Sequence, residues 1–361
     1  APPTPEPTAI PTASPTPAPT VRPYTPSYTS EYQDDTALNY WTLPMDITDE
    51  AAVWEVLMQP MTVVDESMRA AVKLRAEPDD KAEVIGEVTG TSQGVRVAEV
   101  LDSGWSRVEC YSSSFKVSKV KKYGDYVSGY IRSDRLTTVT PNQEIGIVID
   151  KLTQRLYLFK DGKLFSTLLC STGLVNKKQP WNETMSGEFT LQLPAVGGFP
   201  SGNMTCALGI RFNNGDVLHE VPYLTNKDGS KNYGYTEPDL GSKASHGCIR
   251  VQRRLTPEGV NMQWIWDNRK ANIKLLIWED WMGRQMPIPD EDFTLYYNTN
   301  GSKYYHSAAH CYNEKDGQTD LTPFDYAELD TGDFAKLKRC PYCAPVWREA
   351  EIAERNAAYA Q

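Results

Sequence analysis

The sequence predicts a mainly β chain: a small β barrel, a larger and mostly antiparallel β unit with one late helix, and a small α+β tail. Three observations lead there. Residues 68–138 run in short apolar–polar alternations, broken by turns about every ten residues. Residues 144–279 continue the alternation around a hairpin signal and close with helical text. The remainder carries aromatic residues, His and Cys, and ends in a charged, Ala-rich helical stretch. With 361 residues, 40% hydrophobic and 23% charged, there is material for two or three domains and a sizeable core.

Taken in order, residues 1–33 alternate Pro with Thr, Ala and Ser; ten of the 25 prolines fall before position 27. Such text favours extended polyproline II and supplies no core, so a semi-rigid stalk reaching on the order of 90 Å is expected. Residues 34–67 are a lead-in, with Asp46 expected to cap a short helix whose apolar face is Val53, Trp54 and Leu57 and which Pro60 ends. In 68–138, Val95 and Val97 alternate, Gly104-Trp105 opens a run through Val108 and Cys110, and Ser128 to Ile131 closes the unit. In 141–280, Ile145, Ile147 and Ile149 alternate, Asp161-Gly162 marks a type I′ hairpin, and Glu188 to Leu193 adds further β text. A helix is expected from a Thr256 cap to about Lys270, followed by a last strand from Ile273 to Trp278. Residues 290–361 form the tail, with a helix over Trp347 to Ala358.

The net charge of −10, without a basic cluster, disfavours a nucleic-acid partner, because phosphate binding needs concentrated Lys and Arg. No run of about 18 apolar residues is present, so no membrane span is expected within the chain. Ala1 stands where an initiating Met would, which leads to the expectation that a signal peptide or anchor has been removed. Seven cysteines are an odd number, so at least one is free, metal-bound or chemically employed.

The candidate chemistry sits in Ser245-His246-Gly247-Cys248-Ile249-Arg250. A thiol becomes a strong nucleophile as thiolate, which a nearby imidazole promotes. Glycine before the cysteine permits close approach of substrate and a turn that aims backbone N–H groups at an oxyanion. Arg250 adds fixed positive charge, and a second histidine, His219, lies in the strand-like run Asp216 to Glu220.

A histidine on a strand followed by Ser-His-Gly-Cys, an apolar residue and Arg resembles the YkuD-type L,D-transpeptidase catalytic domain. Supporting matches are Leu156 to Phe159, Asp161-Gly162-Lys163, Ser171-Thr172-Gly173 and Ser186 to Phe189. The resemblance implies a β-sandwich in which Cys248 attacks the L-centre carbonyl of a peptidoglycan stem tetrapeptide. His219 takes the thiol proton, His246 shapes the site, and N–H groups around His246, Gly247 and Cys248 hold the oxyanion. Ser245 orients the loop, while Arg250 either binds a substrate carboxylate or makes a structural salt bridge. D-Ala leaves, and an amine of a neighbouring stem resolves the thioester as a 3→3 cross-link. Water as acceptor would give an L,D-carboxypeptidase, and a non-reacting peptidoglycan-binding module is the rival from another class. Carbapenems are the implied inhibitors, no cofactor is required for catalysis, and a bacterial cell envelope or wall is the implied location. Two departures bear on substrate choice: Glu220 replaces the usual small residue, and Asn226 to Gly241 reads as an extended flap.

The order of LRAEPD (Leu74 to Asp79), the Gly-Trp dipeptide and the closing Gly-Tyr-Ile resembles a bacterial Src-homology-3-like domain, which implies wall binding or packing. In the tail, His306, Cys311, Cys340 and Cys343 read H-x4-C-x28-C-x2-C. That set suits a structural zinc site or disulfides in an exported protein, either of which would staple a small module, and His310 confuses the ligand count. Cys110, Cys170 and Cys206 are expected to be small buried apolar residues. The triplets beginning at Asn182 and Asn203 match glycosylation sequons that arise by chance.

Overall fold

The computed structural model describes residues 45–280, 285–301, 303–311, 313–314 and 320–359. The stalk and the first part of the lead-in lie outside them. Among the described residues no helix is long and apolar enough to cross a membrane.

The central unit is a nine-stranded mixed sheet. Its strands are β1 (Ile145–Asp150), β2 (Arg155–Lys160), β3 (Lys163–Ser171), β4 (Gly187–Thr190), β5 (Gly197–Ser201), β6 (Met204–Arg211), β7 (Val217–Glu220), β8 (Ile249–Val251) and β9 (Lys274–Trp278). They run in the order β4-β9-β1-β2-β3-β8-β7-β6-β5. All neighbours are antiparallel except β9 with β1 and β7 with β8. The β2–β3 hairpin turns at Asp161-Gly162, both with positive φ (49° and 84°), as a type I′ turn requires. Ile145, Ile147, Ile149, Leu156, Leu158, Leu168, Leu218, Ile249 and Val251 alternate into one core, shared with Phe189, Ile210 and Ile277.

The alternation of Ile145, Ile147 and Ile149 suggests a half-exposed strand, yet every residue of β1 is buried. The reason is the N-terminal region, which packs on the other face. Val148, Phe159, Leu276 and Trp278 join Val53, Leu57, Val72, Leu74 and Val108 in a second core. The helix here is Glu50–Met58, capped by Asp49, whose carboxylate accepts the Ala52 N–H. The expected cap, Asp46, instead accepts the Thr48 N–H in a local turn, and Trp54 is only half-buried while Val56 is buried. The buried Lys274 ammonium donates to the Val56 and Gln59 carbonyls (3.0 and 2.9 Å) and pairs with Glu188 at 2.8 Å. It thus closes the helix C-terminus, where cations are favoured.

Ahead of β1, five antiparallel strands pair in the order Val84–Thr89, Ala71–Arg75, Tyr123–Arg132, Trp105–Ser113, Arg96–Val100. The late helix is Met262–Asp267, shorter than expected and capped by Asn261 through the Trp264 N–H. Thr256 is not its cap: its N–H donates to the Val260 carbonyl and its hydroxyl accepts the Val260 N–H, which closes a separate loop. The tail is a four-stranded sheet (Thr322–Asp325, Thr294–Tyr297, Tyr304–His306, Lys338–Arg339) with a terminal helix Glu349–Tyr359. Leu295, Tyr305, Phe324, Tyr326 and Leu329 form its own small core.

Candidate active site

Parallel pairing of β7 with β8 builds the site. The register sets Leu218 opposite Ile249 and His219 opposite Arg250. Leu218 and Ile249 enter the core, so by alternation His219 and Arg250 share the other sheet face. Cys248 stands immediately before β8, one step from Ile249, and a hydrogen bond from the Val217 backbone reaches its sulfur. The thiol is half-buried, and His219 lies on the adjoining strand.

His219 is 1% exposed and packs edge-on against Phe199, with ring centroids 5.4 Å apart. Its Nδ1 lies 2.6 Å from the Glu220 carbonyl oxygen. A carbonyl only accepts, so Nδ1 carries the proton and Nε2 keeps its lone pair. Burial pushes His219 down to about 4, aided by the Arg250 charge and opposed by the Glu220 hydrogen bond. Burial pushes Cys248 up to about 12, with Asp216 adding to the rise. At neutral pH the resting pair is therefore thiol and neutral imidazole, not thiolate and imidazolium.

The Cys248 loop is pinned from several sides. Ser245 donates its hydroxyl to the Cys248 carbonyl and accepts the Gly247 N–H at 3.2 Å. Gly247 has φ +117°, and a Cβ there would lie 2.5 Å from Asp216 Oδ1, so no other residue fits without displacement. The Thr184 hydroxyl donates to the Gly247 carbonyl at 2.7 Å and accepts the Gly173 N–H at 2.8 Å. The Ala244 and Ser245 N–H groups donate to the Thr172 carbonyl, and the Leu174 N–H to that of Ser245. Ser171-Thr172-Gly173 is thus the ledge on which the loop rests.

A buried ion network supports the same loop from below. Lys151 pairs with Glu183 (2.7 Å) and Glu279 (2.9 Å), and Lys243 pairs with Asp280 (2.8 Å) and Glu183 (3.5 Å). Two ammonium groups occupy the acidic cluster, which holds Glu183 beside Thr184 and Lys243 just ahead of Ser245.

The other predicted residues sort clearly. His246 is exposed, unlike His219. Arg250 is buried with Asp239 Oδ2 at 3.7 Å, which favours the salt-bridge role over an open carboxylate clamp. Glu220 accepts a hydrogen bond from the Tyr233 hydroxyl at 2.8 Å. Tyr233 follows the hairpin of Leu224–Thr225 and Lys231–Asn232, so the bond ties down the first part of the Asn226 to Gly241 stretch expected to be a flap. Asn182 is 2% exposed, which leaves no room for a glycan. Cys110, Cys170 and Cys206 are buried as expected. Thr184, Asp216 and the Lys151–Lys243 network were not found from the sequence. Thr184 stood there only as the end of a sequon, and pairings across the chain leave no local pattern.

Residues 144–277 match the family model YkuD, described as the L,D-transpeptidase catalytic domain. The matched block holds both His219 and Cys248. Among solved structures, an L,D-transpeptidase from Xylanimonas cellulosilytica is 20% identical, covering 37% of this chain and 60% of that one (TM-score 0.25). One from Mycobacterium tuberculosis H37Rv is 13% identical over 66% of this chain and 89% of that one (TM-score 0.29). A third, LdtMt1 in complex with imipenem, is 14% identical over 61% and 99% (TM-score 0.26). The chain thus spans less than two thirds of the Xylanimonas structure's length. A search of the curated proteins finds no match.

Proposed function

We propose that this chain is a bacterial, extracytoplasmic peptidoglycan L,D-transpeptidase with Cys248 as nucleophile and His219 as general base. The observation that carries the reading is the β7–β8 register. It sets a buried, tautomer-fixed imidazole on the strand beside the one that Cys248 opens.

In the proposed reaction, Nε2 of His219 takes the Cys248 proton as sulfur bonds to the L-centre carbonyl carbon of a stem tetrapeptide. The Gly247 N–H is already donated to Ser245, so the oxyanion donors are assigned to His246 and Cys248. The C–N bond to D-Ala breaks, and the imidazolium returns its proton to the leaving amine. An amine of a second stem then attacks the thioester carbonyl and loses a proton to His219; the C–S bond breaks, and the imidazolium returns that proton to the Cys248 sulfur. Because acyl transfer forms its own covalent intermediate, these steps call on no diffusible cofactor. Arg250 acts as a positioning residue, and His246 shapes the mouth of the site. The five-stranded unit before the catalytic domain is read as a Src-homology-3-like packing module, since its core is continuous with the outer face of β1 and β9.

Imipenem is bound by one of the similar proteins, and carbapenems are proposed to acylate Cys248 here. The test is intact mass after carbapenem treatment of the full chain and of Cys248→Ala. One adduct on the first and none on the second is expected; an adduct on both would remove Cys248 from the reaction.

A further inference from the structure

The tail brings four metal-binding side chains to one point. The nearest ligand atoms of His306, Cys311, Cys340 and Cys343 all lie within 4.8 Å of one another. Cys311 and Cys340 sulfurs are 3.7 Å apart, and Cys343 Sγ is 3.6 Å from His306 Nδ1. Zinc–sulfur bonds of about 2.3 Å and zinc–nitrogen bonds of about 2.0–2.1 Å set tetrahedral edges of about 3.8 Å (S–S) and about 3.5 Å (S–N). The observed separations fit those edges. A disulfide needs about 2.05 Å between sulfurs and would leave one of three thiols and the histidine without a purpose.

The surroundings match as well. His306 Nε2 lies 3.2 Å from Glu314 Oε1, the carboxylate partner that orients a ligating imidazole through its other nitrogen. The Tyr342 N–H donates to Cys340 Sγ and the Ser307 N–H to Cys343 Sγ, each at 3.4 Å. Such bonds stabilise thiolate charge. His306 is fully buried, whereas His310 is largely exposed and lies 3.3 Å from Asp320, which removes it from the ligand set.

We propose that His306, Cys311, Cys340 and Cys343 bind one zinc ion, which fixes the tail as a wall against the catalytic domain. Immediately after the Cys340–Cys343 turn, Ala344 packs on Leu169 and Leu240, and its carbonyl accepts from Arg155 at 2.7 Å. Leu240 adjoins Asp239, the partner of Arg250. Arg254 stacks on Tyr342, with 4.0 Å from guanidinium carbon to ring centroid. Between the two units lies a cavity of about 610 Å³, bounded by Arg155, Leu169 and Gln252 on one side and Ser307 and Tyr342 on the other.

The test uses the full chain purified from zinc-supplemented medium without chelator. Elemental analysis is expected to give one zinc per chain, unchanged in Cys248→Ala and lost in Cys340→Ser. Cobalt(II) exchanged into the unmutated chain should show the intense visible bands and thiolate-to-cobalt charge transfer of a tetrahedral thiolate site. This readout does not depend on the folding of a variant. Zinc well below one per chain, with no such cobalt spectrum, would overturn the site; so would a Cys311–Cys340 disulfide in non-reduced peptide maps. On zinc removal, amide exchange over residues 237–245 should quicken together with that of the tail. Exchange there that is unchanged while the tail loosens would overturn the wall.

Discussion

The molecule holds two Cys/His centres built from the same side chains to opposite ends. Where β7 pairs with β8, one half-buried thiol stands just ahead of the strand next to one buried imidazole, whose Nδ1 is taken by a backbone carbonyl. In the tail, three thiols and an imidazole converge within 4.8 Å, with a carboxylate on the far nitrogen. On the proposed reading, what separates the nucleophile from the ligands is the number of convergent donors, not the chemistry of any one of them. A single thiol with an open face can meet a carbonyl carbon; a closed tetrahedron of donors leaves no such face.

The two centres differ most at Cys248. Cys248→Ala should lower acyl transfer by about four orders of magnitude or more. The tail's metal content should stay at one per chain, so activity and elemental analysis together separate the centres. Next, His219→Ala should slow acylation of Cys248 by about 10²- to 10⁴-fold. His246→Ala should cost less than about tenfold, as read by stopped-flow acylation with a carbapenem. Equal losses would assign the base to neither histidine alone.

Support of the reactive loop gives the third prediction. Lys151→Met removes the cation that buried Glu279 shares with half-buried Glu183. It should cost about 3–5 kcal/mol of stability by urea denaturation. The effect should be larger than for any exposed pair, such as Lys336 with Asp333.

The smallest and most specific effect is in pH. His219 is lowered from about 6.5 to about 4, so between those values the unfolded chain binds more protons. Its contribution, on the order of 3 kcal/mol, is complete above about pH 6.5 and is lost as pH falls toward 4. Asp216 runs the other way. Burial raises it to about 7, and Oδ2 finds no hydrogen-bond partner among the described residues. The folded chain therefore binds its proton more tightly, and stability falls as pH rises from about 3.8 through 7. Asp216→Asn should gain stability relative to the unmutated chain progressively across that window. It should also lower the pH at which Cys248 is alkylated, because a negative neighbour of the thiolate is gone. Parallel stability curves for the two proteins would contradict the Asp216 assignment.

Much of this was legible before folding. Alternating apolar residues mark β1 and β2, Asp161-Gly162 marks the β2–β3 turn, and the order His219 to Arg250 marks the block that matches the family model. What escaped was set by contacts distant in sequence. Burial of both faces of β1 follows from the helix residues Val53 and Leu57 packing on its outer face, which no local period reveals. Thr256 carries cap chemistry but spends it on Val260, while Asn261 takes the cap. Thr184, Lys151 and Lys243 gain their roles only when three loops meet under Gly247. The H-x4-C-x28-C-x2-C spacing suited zinc and disulfides alike, and the 3.7 Å sulfur separation is what favours metal.

The most direct measurement is product analysis after the full chain meets a disaccharide-tetrapeptide, alone and with a second stem as acceptor. Release of D-Ala and a cross-linked dimer, both lost in Cys248→Ala, are the expected result; a tripeptide alone would make water the acceptor. No release of D-Ala, with Cys248 reduced and unmodified by a carbapenem, would contradict catalysis and leave a module that only binds the wall.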